Sequence, residues 1–264
     1  MESTPSTRPA PRASLVLTDV VKSFGGRTVA DIPHLKLGRY GVEGLIGPNG
    51  AGKTTVTKLI TGAHSLDRGT ISYHGPSGVI DLSQLPSHRI ARAGVVKSNQ
   101  VIQDFETLTI RDSLLLAAAR PRDERFWYLG RSRTSAELVN DIDGYLEYFR
   151  FENPDRHALS AGEKKLLDII RCLLVKPKFL LLDEPTAGLP QWETDQVKEL
   201  VRQLGAEGEI SILIIEHDLE LMWSVCDYVH FMADGKLLLQ GTPDEVRSDP
   251  TVIEKYLGGG HVEG

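Results

Sequence analysis

The run Gly47-Pro48-Asn49-Gly50-Ala51-Gly52-Lys53-Thr54-Thr55 has the residue types and spacing of a phosphate-binding loop, G-x-x-x-x-G-K-[ST]. Glycines let the backbone wrap close to an anion so that successive N–H groups point inward, and the N-terminus of a following helix adds its positive dipole. In such a loop Lys53 reaches the β- and γ-phosphates of a nucleotide, and the Thr54 hydroxyl ligates Mg²⁺. Further on, Phe179-Leu180-Leu181-Leu182 run straight into Asp183-Glu184. Two acids at the C-terminal end of a buried strand lie on the edge where open α/β sheets hold their ligands. Asp183 suits the outer shell of Mg²⁺, and Glu184 suits orienting or deprotonating an attacking water. Taken alone, Asp183-Glu184-Pro185 also reads as a surface turn after a strand, and the phosphate loop upstream is what makes it a hydrolytic pair.

These groups need a scaffold that brings them to one edge, and the apolar pattern supplies it. Short runs at Leu15-Val16-Leu17, His34 to Leu37 and Val42 to Ile46 read as strands leading into the glycine loop. A helix follows the loop, with Gly62 as a left-handed cap after Lys58-Leu59-Ile60-Thr61. Gly94-Val95-Val96 offers another strand, and the continuous apolar runs Phe179 to Leu182 and Ile212 to Ile215 fit a parallel sheet covered on both faces. Between them Thr109 to Arg120 and Ser135 to Phe149 read as helices, the second with Leu138, Ile142, Leu146 and Phe149 on one face. The pattern predicts an α/β core interrupted by a helical insertion, with no internal repeat.

The bulk composition narrows the setting. A chain of 264 residues with 41% hydrophobic content can bury a full core without disulfides or metal. A net charge of -6 argues against a general nucleic-acid binder, which carries excess Lys and Arg. Cys172 and Cys226 lack metal-ligand spacing and read as buried free thiols of a reducing cytosol. No run approaches the ~20 apolar residues of a membrane-spanning helix. Residues 1–13, rich in Pro, Ser and Thr, read as a disordered tail.

Leu159-Ser160-Ala161-Gly162-Glu163, opening a helix before the Asp-Glu pair, resembles the LSGGQ signature of the ABC family, and with it the chain resembles an ABC nucleotide-binding domain. Ser160, Gly162 and the helix N-terminus offer donors to a γ-phosphate, although Ser160 and Glu163 also form an ordinary capping box. Other positions match the family in order. Gln100 falls where the family has a glutamine that touches Mg²⁺, His217 where a histidine contacts the γ-phosphate, and Phe24 where an aromatic stacks on adenine. Taken singly, these are a solvated glutamine, a structural histidine and a packed aromatic. The resemblance implies a P-loop NTPase of α/β class, with a RecA-like core, an antiparallel β subdomain and an inserted helical subdomain at about 101–165. It implies a nucleotide-binding domain over 14–246 and a C-terminal tail at 247–264. It further implies that Gly47 to Thr55, Phe24, Gln100, Asp183, Ser160 and Gly162 hold ATP and Mg²⁺, the metal falling to Thr54, Gln100 and Asp183. Lys53, Glu184 and His217 carry catalysis.

In this family the signature of one subunit closes over ATP held by a second, so the implied partners are another ABC ATPase subunit, in a homo- or heterodimer, and two transmembrane permease subunits. The setting is the cytoplasmic face of the inner membrane. Three departures stand out: Ala161 adds a methyl in the signature, Glu163 replaces its glutamine, and Pro190 stands where the family has Asp or Asn. Leu85 to Gly94, Ile215 to Leu219, Gly241 to Val246 and Asp249 to Gly258 are similar to ATPase subunits of branched-chain amino acid importers and their amide and urea relatives, which adds an extracytoplasmic binding protein. An envelope lipid or lipopolysaccharide exporter, or a non-transport ABC ATPase, remains an alternative. The aromatics and five arginines of Arg120 to Arg133 suit a permease loop or the inner leaflet, or fold back onto the subdomain.

Overall fold

A computed structural model describes residues 12–98, 108–118, 135–155 and 159–257. Gln100 and the segment Arg120 to Arg133 lie outside the described residues. The first sheet is antiparallel and contains β1 (Ser14–Phe24), β2 (Arg27–Leu37), β4 (Arg68–Gly75) and β5 (Gly78–Asp81), in the order β2-β1-β4-β5. The second contains β3 (Val42–Ile46), β6 (Val95–Lys97), β7 (Phe179–Asp183), β8 (Ser211–Ile215), β9 (Tyr228–Ala233) and β10 (Lys236–Gly241), in the order β10-β9-β3-β8-β7-β6. Strands β9, β3, β8, β7 and β6 run parallel, and β10 returns antiparallel along β9.

The side-chain period of two divides each buried strand between two cores. Phe179 and Leu181 of β7, with Leu213 and Ile215 of β8, pack in a core shared with the antiparallel sheet and with α1 (Lys53–Ile60). Leu180, Leu182, Ile212 and Ile214 face the other way, into a core shared with α3 (Ile110–Ala118), α4 (Ser135–Tyr148), α5 (Ala161–Leu174) and α6 (Gln191–Glu207). This is why both strands are apolar at every position. Helix α2 (Ser87–Ala93) buries only Ile90 and leads into β6. Helices α3, α4 and α5 pack on one another, and Ile142, Leu146 and Phe149 are buried as their spacing predicts. Both cysteines are buried and unpaired.

Both ends of the described residues are tied into the fold. Arg12 and Ala13, the last residues of the segment read as a tail, are built into the fold: Arg12 Nη2 donates to Gly205 O at 2.8 Å, and Ala13 O accepts from Ser211 Oγ at 2.6 Å. At the other end, α7 (Leu219–Val225) and α8 (Pro243–Ser248) are followed by α9 (Pro250–Leu257). Val252 of α9 is buried in the core, and the Tyr256 ring lies 5.9 Å from that of Phe231. Among the described residues no helix is long and apolar enough to cross a membrane.

Candidate functional site

Because β3, β8 and β7 are neighbours running in one direction, their C-terminal ends deliver three loops to one edge of the sheet. The β3 end supplies the phosphate loop, β7 supplies Asp183 and Glu184, and β8 leads into Glu216 and His217. A cleft of about 530 Å³ opens there, lined by Asn49 to Thr55, Glu184, Ile215 and His217, with Arg27 to Val29 and Asp234-Gly235 on the far side. That volume suits a nucleotide-sized ligand.

The loop depends on glycine where the backbone turns. Gly52 has φ +99°, and a Cβ there would meet the Val29 carbonyl oxygen at 2.4 Å, so only glycine lets β2 approach the start of α1. Lys53 is buried, with Nζ 2.6 Å from the Gly47 carbonyl and 3.0 Å from that of Pro48. Burial lowers its pKa, while Glu184 and Asp183 oppose that shift. Gly47 and Pro48 thus act by holding this lysine and do not line the cleft.

Glu184 sits at φ +50°, a left-handed conformation that costs an L residue about 1–2 kcal/mol. Two backbone contacts hold it there. Its amide donates to Ile215 O at 2.8 Å, and its carbonyl accepts from Lys165 Nζ at 2.8 Å. The same lysine reaches Ala187 O at 2.7 Å, so α5, the signature helix, grips the loop after β7 from both ends. Burial lowers the Lys165 pKa, against the pull of Glu216, Glu184 and Asp183. Glu184 Oε1 lies 2.8 Å from His217 Nε2, so two of the three residues expected to carry catalysis meet across the β7 and β8 loops.

Asp183 stands behind this pair, with its side chain 2% exposed and its Oδ2 2.7 Å from Lys97 Nζ. Its amide donates to Ser98 Oγ at 3.0 Å. Buried Glu216 staples the two loops together: Oε1 accepts from the Thr186 amide at 3.0 Å and its hydroxyl at 2.7 Å, and Oε2 from the His217 amide at 3.0 Å.

Other expected positions stand apart. Phe24, at the end of β1, is 45% exposed and meets His64 edge-on at 5.2 Å without lining the cleft. Ser160 and Gly162 do not line it either. Ser160 caps α5 in a full capping box with Glu163, so the Glu163 carboxylate is turned onto the Ser160 backbone amide at 2.9 Å. Lys97, Lys165 and Glu216 were missed by sequence reasoning, because nothing in their local spacing marks them. Asp234-Gly235 did leave a signal: an Asp-Gly pair between two strands is a type I′ hairpin turn, and φ is +51° and +77°. Its Gly235 amide donates to Ala51 O at 3.1 Å, bracing the phosphate loop.

Comparison with known proteins agrees with this geometry. Residues 32–187 match the ABC transporter family, and residues 236–262 match the family described as branched-chain amino acid ATP-binding cassette transporter. The high-affinity branched-chain amino acid transport ATP-binding protein BraF of Pseudomonas aeruginosa is 36% identical over 256 residues, 94% of this chain and 98% of that protein. LivG of Escherichia coli, with the same description, is 34% identical over 252 residues, 92% of this chain and 97% of that protein. Among solved structures, the ADP conformation of an ATP-binding cassette of an ABC transporter superposes with a TM-score of 0.76 at 29% identity, covering 93% of this chain and 99% of that one. A nucleotide-free ATP-binding cassette from an ABC transporter gives the same TM-score and identity, covering 92% and 98%. The chain therefore belongs to the ABC transporter ATP-binding family, and is an ATPase subunit of that family.

Proposed function

We propose that this chain energises an importer of branched-chain or related hydrophobic amino acids from the cytoplasmic face of the membrane. Pairing with a second cassette beneath two permease subunits, it would serve an extracytoplasmic binding protein. The observation that carries this reading is the match of residues 236–262 to the branched-chain amino acid cassette family, beyond the general ATPase match at 32–187.

In this account Lys53 and the amides of Gly50 to Thr55 hold the phosphates, and charge stabilisation by these fixed groups does most of the chemical work. Glu184, oriented by His217 at 2.8 Å, accepts a proton from the attacking water. Ser160 and Gly162, away from the cleft of their own subunit, would donate to the γ-phosphate held by the partner cassette. Gln100 and Phe24 keep the metal and adenine roles that the family resemblance implies.

The residues fit a magnesium ion. Among the described residues no cluster of three or more His, Cys, Asp or Glu side chains occurs, and Mg²⁺ bound to a nucleotide needs none, since phosphates and waters fill most of its sphere. Thr54, Asp183 and Gln100 would hold it, and when bound it neutralises charge developing on the phosphate oxygens.

Isolating the tagged chain from its host membranes in mild detergent and identifying the co-purifying proteins tests this reading. Two permeases, a second cassette and an amino-acid-binding protein are expected. Recovery of lipid-export or ribosomal components overturns the importer.

A further inference from the structure

The buried carboxylate of Asp183 has a charged neighbour that the account above leaves unused. Lys97, the last residue of β6, brings Nζ to 2.7 Å from Asp183 Oδ2, and the two side chains are 16% and 2% exposed. Oδ2 is fully buried, and the Lys97 ammonium is its one close charged neighbour among the described residues, so the pair is held chiefly by charge. The backbone is fixed separately. Ser98, 5% exposed, donates its amide to Leu181 O at 2.9 Å and accepts the Asp183 amide on Oγ at 3.0 Å. Asp183 therefore stays anchored through Ser98 when the charge of Lys97 is removed.

We propose that Lys97 is a positioning residue that competes with the divalent metal of the nucleotide for Oδ2 of Asp183, neutralising the carboxylate until the metal takes its place. The inference rests on the metal-facing role proposed for Asp183. An ammonium at Oδ2 and a divalent cation whose outer shell meets the same buried oxygen repel each other with little solvent screening, so the two states exclude one another. A lysine suits the part, because a compact charge on a flexible four-carbon stem can leave without dismantling a planar bidentate contact. The lysine also keeps an unpaired buried anion from facing a metal-free triphosphate.

Nucleotide affinity of the full chain, read with a fluorescent ATP analogue in EDTA and again in Mg²⁺, gives a ratio of dissociation constants that reports the contribution of the metal. Lys97→Met is expected to raise that ratio by about threefold or more, since bare Asp183 repels the metal-free analogue and no ammonium opposes the metal. Lys97→Arg, which keeps the charge, is expected to stay near the ratio of the unmodified chain. A ratio in Lys97→Met equal to or below that of the unmodified chain overturns the competition. Asp183→Asn separates the two readings: an unchanged ratio there overturns Asp183 as the metal-facing acid, whereas a collapse toward one, alongside an unchanged Lys97→Met, removes only the role of Lys97. Thermal unfolding is recorded for each variant, and Lys97→Gln is read by the same ratio where Lys97→Met does not fold.

Discussion

Glu184 and His217 divide their labour in a way that two substitutions separate. With the Glu184 carboxylate proposed as the proton acceptor, Glu184→Gln is expected to keep ATP binding while lowering turnover by about 10²- to 10⁴-fold in the assembled complex, measured as steady-state phosphate release. The orienting role proposed for the histidine rests on one contact of 2.8 Å between side chains that are 48% and 25% exposed. A contact so open to water contributes little to folding. His217→Ala is therefore expected to slow turnover by roughly 10-fold or more while leaving the unfolding temperature within about 1 °C. A fall in stability equal to that of a core substitution would move His217 from orientation to packing.

At the scale of elements, the loop after β7 gives way to α6 through Pro190, which is the N-cap of that helix and has no N–H to offer. Glu193 occupies the third helical position, where a glutamate ordinarily reaches back to the N-cap amide. Denied that donor, its Oε2 is buried with no hydrogen-bond partner among the described residues, and a Cβ on Gly162 of the signature would come within 2.6 Å of it. Burial raises the Glu193 pKa, so the ionised form is disfavoured in the folded state. The ionised carboxylate therefore destabilises the fold above its folded pKa, and the penalty disappears as pH falls through that value toward the unfolded one. Glu193→Gln is expected to raise the unfolding temperature by about 1–3 °C at pH 7.5, with the gain vanishing near pH 4. No gain at pH 7.5 would mean that water or a neighbour satisfies the carboxylate. The primary structure makes the parallel strands legible because Phe179 to Leu182 and Ile212 to Ile215 leave no polar face, and it makes the phosphate loop legible because its chemistry is local. The β4 and β5 hairpin is not legible, since β4 mixes exposed and buried positions and the short β5 buries none. Contacts such as Ser98 to Asp183, 85 residues apart in sequence, arise only from the register of β6 on β7.

Across the whole molecule, the segment that ties the chain to the branched-chain family also closes its core. Residues 236–262 include β10, α8 and α9, and α9 buries Val252 while laying Tyr256 against Phe231. Burial pushes the Tyr256 phenol up to about 12, and the Gly47 backbone amide at the start of the phosphate loop pulls it the other way. A chain ending at Asp249 is expected to lose about 3 kcal/mol, or roughly 6–12 °C in unfolding temperature, and to bind ATP more weakly. Unchanged stability would mean that α9 merely lies on the surface. Hydrolysis at Glu184 harnessed to amino-acid uptake is tested by ATP turnover of the co-purified complex in liposomes, with and without binding protein loaded with leucine. Turnover should rise with leucine and be abolished by Glu184→Gln; turnover indifferent to leucine, isoleucine and valine would rule out an amino-acid importer.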